Sequence, residues 1–445
     1  MGCECVLLGG MREALERYFE FERLGTNWRT ELLAGATTFL TMAYIVLVNP
    51  ALLAQTGMPL AGVTAATCLS AAVGSVLMGV VARYPIALAP GMGLNAYFTY
   101  TVCLKLHVPW QTALGAVFVS GVLFLLLTAV GVRQLILRSI PRELYAAVAG
   151  GIGLFLALIG LSRAGVVVAD PATMVRLGNV RDAQTALALA GLVLMAALEI
   201  RRVKGSILLG VVGVTAASWM LGLSHWRPTP MGWHSLGATA MQLDVKAALH
   251  AGLLEIVFVF FFVDLFDNVG TLVAVTQRAG LQEADGTIPR LNQILFADAT
   301  ATVVGALTGT STVTSYVEST AGVAAGGRSG VTAIVTGLLF LAALAAAPYV
   351  GVVPAAATAP ALVLVGSMML ATIAEIPWRD PLVAVPAFLT LVMIPLSYSI
   401  ANGLGFGVIA WAVLHGVTGR LRRRDWLLCL LAVLFLVRFV YMAAG

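Results

Sequence analysis

Long unbroken runs of apolar residues, separated by short polar or basic stretches, repeat along almost the whole chain. A run of about 20 such residues is what an α-helix needs to cross the hydrocarbon layer of a membrane. The runs are continuous and do not alternate, which excludes a transmembrane β-barrel. They predict spans near 33–55, 62–82, 86–104, 109–131, 143–163, 183–200, 205–223, 248–276, 291–308, 310–327, 330–348, 354–374, 382–399 and 401–418. A last apolar helix is predicted at 426–443, with Arg438 inside it, and hydropathy fits either an interfacial helix or an extra span. Two spans depart from the plain pattern. PIALAPGMGLNAYF (85–98) is broken by Gly and Pro, and GTSTVTSYVESTAGVAAGG (309–327) is too polar for a lipid-facing helix.

The two halves of the chain look related. GGIGLFLALIGL (150–161), an apolar span and KGSILLGVVGVTAA (204–217) correspond to APALVLVGSMMLATI (359–373), an apolar span and IANGLGFGVIAWAV (400–413). Each broken segment is the third span of its half. Seven is odd, so two seven-span repeats insert with opposite orientation. Paired interrupted segments in inverted halves point to a transporter's midplane binding site. The expected fold is therefore an all-α polytopic membrane protein of about 14 segments in two inverted repeats, with broken helices at spans 3 and 10.

Composition agrees. Of 445 residues, 60% are hydrophobic and 11% charged, and the mean hydropathy is +0.96. Soluble domains carry about 25% charged residues, so a soluble enzyme, a disordered chain and a nucleic-acid binder are excluded. The net charge of +5 comes from Lys and Arg scattered between apolar runs. With the N-terminus in the cytoplasm, 19 of them fall on inner segments and 6 on outer ones, Arg438 aside. That asymmetry favours both termini inside and an even number of spans near 14. No cleavable signal peptide is visible, with Glu4 and Glu13 in the first stretch. Residues 1–10 read as an extension ahead of an amphipathic entry at Met11. The five cysteines read as free thiols, and Cys3 with Cys5 makes at best an incomplete metal site.

Four acids lie well inside membrane segments: Asp264, Asp267, Asp298 and Glu318. A carboxylate at that depth costs roughly 2.5–3.5 kcal/mol by insertion scales, so it must face a cavity or a partner. Asp264, Asp267 and Thr271 are spaced i, i+3, i+7 and share one helix face, with Asn268 one residue off the stripe. The alternative is that these acids cap half-helices or pair with Arg278 and Arg290. Asn95 follows Pro90, Gly91 and Gly93, which free backbone groups for a ligand. Thr310, Ser311, Thr312, Thr314, Ser315 and Glu318 crowd nine positions and read as a lined cavity, although a lone hydroxyl often bonds only to its own helix. No phosphate-binding loop, catalytic triad or His/Cys metal cluster accompanies them, and the five histidines lie outside both broken segments.

At these residues the chain resembles a known family. RLGTNWRTELLAGATTFLTMAYIVLVNP (23–50), YPIALAPGMGLNAYF (84–98), FVDLFDNVGTLVAV (262–275), GTSTVTSYVESTAGVAAGGRSG (309–330) and PAFLTLVMIPLSYSIANGL (386–404) are similar to the AzgA-like branch of the nucleobase–cation symporter-2 family. The likeness runs from about Phe19 to the end, and the span-ten run is its most specific part. The resemblance implies import of purine bases, guanine and hypoxanthine in one group and adenine in another. It implies a core domain (33–131 and 248–348), a gate domain (132–247 and 349–418), and a basic segment with a short apolar helix (419–445) after a cytoplasmic stretch (1–32). By motif it implies that Asp267 and Glu318 hold the base, with Asn95 beside them and Asp264 and Asp298 as further family acids. Asn268 is a departure, because branch members usually carry Thr there, and it bears on selectivity.

The chemistry fits a purine, which is flat, neutral and polar at its edge. A carboxylate accepts two donors side by side, matching N1–H and the 2-amino group of guanine, while adenine also offers N–H donors. Thr271, Thr312 and Ser315 join the expected substrate site. Phe98, Phe262 or Phe266 is available to stack on the ring, with ordinary packing the commoner role of a Phe. Asp264 and Asp298 are expected to couple transport to a proton rather than sodium, since no oxygen cage for sodium is evident. No cofactor or metal is expected. Partners are the bilayer of the cell membrane, the base, the proton and, by family analogy, a second copy through the gate. A same-fold anion carrier should lack the carboxylates and usually has a large soluble C-terminal domain, whereas this chain reaches Gly445 without one. An intramembrane hydrolase lacks its nucleophile here, and a channel should show a continuous polar stripe.

Overall fold

The computed structural model describes residues 11–130, 141–224, 233–250, 254–283 and 287–443. Residues 1–10, with Cys3 and Cys5, lie outside the described residues, as do the side chains of Phe266 and Asp267. The segments appear in the expected order. The first half holds α1 (Trp28–Thr56) and α2 (Leu60–Ala82). The strand β1 (Leu88–Pro90) then leads into α3 (Met92–Ala96), which continues as a wider helix over Tyr97–Lys105. After α4 (Trp110–Ala129) come α5 (Arg142–Arg163), α6 (Ala183–Ile200) and α7 (Ser206–Met220). A short antiparallel hairpin, β2 (Val167–Asp170) with β3 (Met174–Leu177), joins α5 to α6.

The second half repeats the pattern: α8 (Leu254–Ala279), α9 (Leu291–Thr308), then β4 (Val313–Ser315) leading into α10 (Ser319–Ala324). It closes with α11 (Gly330–Ala343), α12 (Ala355–Met369), α13 (Pro381–Ser397) and α14 (Ile400–Val417). A further helix, α15, covers Trp426–Ala443. The all-α expectation thus holds for the spans, with two small ribbons added. In the β2–β3 hairpin Asp170 accepts the Ala172 and Thr173 N–H groups, at 2.8 and 3.1 Å. Those bonds hold its exposed carboxyl below the usual carboxylate range.

Helix starts follow local chemistry. Asn27 accepts the Thr30 N–H at 3.0 Å at the head of α1, Pro59 precedes α2, and Asp182 caps α6 through Gln184 and Thr185. Packing sorts the helices into two groups. α1, α2, α4, α8, α9 and α11 pack on one another, while α5, α6, α7, α12, α13 and α14 form the second set. In the second set Gly153 of α5 lies against Gly366 of α12 so closely that a Cβ on Gly366 would sit 2.3 Å from the Gly153 carbonyl oxygen. Small residues permit that approach where lipid supplies no hydrophobic drive.

Glu31 anchors the first group. Fully buried in α1, it accepts the backbone N–H groups of Arg328, Ser329 and Thr332 at 2.9, 3.1 and 3.2 Å, and the Thr26 hydroxyl at 2.7 Å. Its carboxylate therefore caps the N-terminus of α11, where the helix dipole favours negative charge. Glu20 ties the segment before α1 to the ends of α2 and α9, through Arg83 at 3.3 Å and Arg290 at 2.6 Å. Arg290 is therefore engaged with Glu20 at the end of its helix. Cys68, Cys103 and Cys429 are unbridged.

Candidate functional site

The two interrupted segments meet in the middle of the first helix group. β1 and β4 pair antiparallel, Leu88 opposite Ser315 and Pro90 opposite Val313. The Gly91 N–H donates to the Thr312 carbonyl at 2.9 Å, and the Tyr316 N–H to the Ala87 carbonyl at 3.0 Å. A two-stranded ribbon leaves each outer edge unpaired, which a membrane interior does not tolerate. Side chains close both edges. Ser75 of α2 accepts the Leu88 N–H at 2.9 Å and donates to its carbonyl at 3.1 Å. On the other edge Thr302 of α9 donates to the Val313 carbonyl at 2.9 Å, and Asn268 of α8 accepts the Ser315 N–H at 3.1 Å.

Asn268 does more than close an edge. Its amide nitrogen donates to Asp298 at 2.7 Å and to Asp264 at 3.2 Å, and all three side chains are fully buried. One carboxamide therefore joins α8, α9 and β4. Asp264 and Asp298, distant in sequence, share one amide donor directly behind the ribbon.

Asn95 sits on α3 in a second network. It donates to Asn49 at 2.5 Å and accepts the Ser311 hydroxyl. Asn49 in turn donates to Thr67 at 2.8 Å and Thr310 at 3.1 Å. The Asn95 side chain thus braces α1, α2 and the approach to β4.

Two hydroxyls on the ribbon segment behave differently. Thr312 Oγ1 and Ser315 Oγ are buried and have no hydrogen-bond partner among the described residues. A buried polar group left unpaired costs about 1–3 kcal/mol, so such atoms mark space for a ligand or water. Glu318, half-buried at the head of α10, accepts the Tyr44 hydroxyl at 2.9 Å. α8 packs against both α10 and β4, which brings the Asp264 face beside the Glu318 helix. Thr271 is half-buried on α8, two turns from Asp264. Asp267 lies on the same helix, with its side chain outside the described residues. Among the described residues no group of three or more His, Cys, Asp or Glu stands close enough to hold a metal.

Of the nominated aromatics, Phe98 packs against Phe260, and Phe262 against Phe258 and Phe261. Sequence reasoning missed Tyr44, Asn49, Thr67, Ser75 and Thr302. Asn49 had a signal, an amide beside Pro50 in an apolar run. The hydroxyls had none, because residues such as Thr37, bonded to the Leu33 carbonyl four residues back, look the same in sequence.

The model of the Permease family named Xan_ur_permease matches residues 29–406. Adenine permease AdeP of Escherichia coli is 42% identical over 430 residues, covering 97% of each chain. Guanine/hypoxanthine permease PbuG of Bacillus subtilis is also 42% identical, over 440 residues covering 96% of this chain and 100% of its own. Among solved structures, the transmembrane domain of the cyanobacterial bicarbonate transporter BicA superposes with a TM-score of 0.65 at 16% identity, covering 86% of this chain and 98% of its own. That likeness shows the fold: two inverted repeats divided into a core and a gate. With the matched span covering most of its length, the chain belongs to this permease family, the nucleobase–ascorbate transporters.

Proposed function

We propose that this permease imports purine bases, guanine and hypoxanthine before adenine, across the cell membrane by proton symport. The observation that carries the reading is the lining of the ribbon: a half-buried carboxylate, Glu318, with the hydroxyls of Thr312 and Ser315, which have no partner among the described residues. Such a lining offers hydrogen bonds without a fixed positive charge, which suits a neutral heterocycle and gives an anion nothing to pair with. Asp267, on the stripe between Asp264 and Thr271, completes the substrate side. Asn95 contributes by holding the ribbon approach in place. The names of the relatives support a nucleobase but divide between adenine and guanine/hypoxanthine at equal identity. Adenine is accordingly the second reading.

Asp264 and Asp298 supply the coupling. Uphill accumulation of a neutral base needs an ion, and one charge crossing 100 mV supplies about 2.3 kcal/mol. Both carboxylates are fully buried and accept from the same Asn268 amide, which links them across α8 and α9. In this reading the core (33–131 and 248–348) carries the base past the gate (132–247 and 349–418), the N-terminus is cytoplasmic, and the gate pairs two copies. Radiolabelled guanine uptake, competed by hypoxanthine, adenine, xanthine and uracil with and without an uncoupler, tests it. Guanine and hypoxanthine should compete best and the uncoupler should abolish accumulation. Competition led by adenine selects the second reading, and no purine uptake overturns both.

A further inference from the structure

The helix α15 is apolar enough to lie in the interface or to cross the membrane, and its packing decides between them. It turns back and packs against α14. Near its far end Arg438 donates to Asn402, at 3.0 Å, on the first turn of α14. One turn along, a Cβ on Gly405 would meet the Phe435 and Phe439 rings, each at 2.9 Å, and Phe406 packs on Phe439 with centroids 5.1 Å apart. At the near end the chain turns within Thr418–Asp425, a stretch that carries Arg420, Arg422, Arg423 and Arg424. At about 1.5 Å per residue, the 18 residues of α15 rise about 27 Å, close to the thickness of the hydrocarbon layer.

The outward face of α15 gives the same answer. Between Trp426 and Val440 every exposed side chain is apolar: Leu430, Val433, Leu434, Leu436 and Val437. A helix lying in the interface keeps a polar face toward water, and this one has none to show. Its single charge, Arg438, turns inward and pairs with Glu255 at the first turn of α8.

We propose that α15 crosses the bilayer as a fifteenth segment, and that Arg438 ties the core helix α8 to the gate helix α14 at the outer face. The end of α15 then lies outside, opposite to the cytoplasmic placement that charge counting favours. That count sets Arg438 aside, because it lies within the helix and adds no charge to a loop, and so does not itself place the end of α15. Two neighbouring contacts join the same seam. The Thr101 hydroxyl donates to the Tyr398 carbonyl at 2.6 Å, and Lys105 to the Ser397 carbonyl at 3.0 Å. Sliding of the core against the gate must break all three, so the ion pair with Glu255 biases the protein toward the state seen here.

The tie rests on the transport reading above; the crossing does not. Ala443→Cys and Arg422→Cys are made in a background with the five native cysteines replaced, and intact cells are treated with a membrane-impermeant maleimide. Ala443→Cys should label at once and Arg422→Cys only after permeabilisation, and labelling of both from one side overturns the crossing. Substrate exchange is then measured, per copy at the surface, for Arg438→Gln, Glu255→Gln and the swap Arg438→Glu with Glu255→Arg. Each single change should shift the exchange rate about two- to fivefold, the range of a half-exposed ion pair, and the swap should restore it. Wild-type rates in the single variants, or a swap no better than either, overturn the tie. Arg438→Lys keeps the charge and serves where Arg438→Gln fails to reach the membrane. A wild-type protein that exchanges no purine sinks the transport reading and leaves the labelling result standing.

Discussion

Asn268 carries more of the site than any acid whose contacts are described, because a carboxamide both donates twice and accepts. Replacing it with Leu strips the Ser315 N–H and two buried carboxylates of a partner each. With about 1–3 kcal/mol for a buried group such as the Ser315 N–H left unpaired, Asn268→Leu should lower the thermal midpoint of the purified protein by several degrees. Asn268→Thr, which keeps one donor, should fall between. An unchanged melting curve for Asn268→Leu would mean that the node carries no stability. Glu318 makes a cleaner functional test, since Gln keeps its size and removes its charge. Charge-assisted bonds are worth about 1.5–3 kcal/mol, so Glu318→Gln should weaken purine binding by roughly tenfold to a hundredfold, read by calorimetry on purified protein. Tyr44→Phe, removing the hydroxyl that donates to Glu318 at 2.9 Å, should weaken binding less. Equal affinity in Glu318→Gln would move the substrate site elsewhere.

At the scale of elements, the broken third and tenth spans stand only because each completes the other. Their strands pair with one another, and Ser75, Thr302 and Asn268 close the edges. Gly93 acquires a different role in the structure. Its neighbourhood reads in sequence as a way to free backbone for a ligand. In the structure Gly93 lies inside α3, where a Cβ would come within 2.4 Å of Ile152 on α5. It is where α3 passes closely beside α5, in the second helix group. Gly93→Leu should therefore abolish transport while surface expression persists, and Gly93→Ala should recover part of its activity when Ile152→Ala is added. Failure of that rescue would leave Gly93 with a role inside the core alone.

For the whole molecule the central question is coupling. Asp264→Asn and Asp298→Asn should each retain exchange of internal for external purine and lose uphill accumulation, measured in the same vesicles. Uptake that follows external sodium and ignores an uncoupler would overturn the proton assignment and leave the purine assignment intact. The order of the apolar segments and the two irregular spans were legible in the sequence. The bilayer leaves the backbone few options, so apolar length alone sets each span and any break must be buried. The buried acids were legible for the same reason, their cost at depth making them conspicuous. Which polar groups meet was not legible. Asn49 and Thr310 are 261 positions apart, and Asn268 and Asp298 lie on different helices. A hydroxyl that bonds its own helix has the same sequence signature as one that closes a strand edge. Only tertiary structure turned Asn95 and Asn268 into braces, left Thr312 and Ser315 open, and laid α15 along α14, because each outcome depends on what stands opposite rather than on what stands next in the chain.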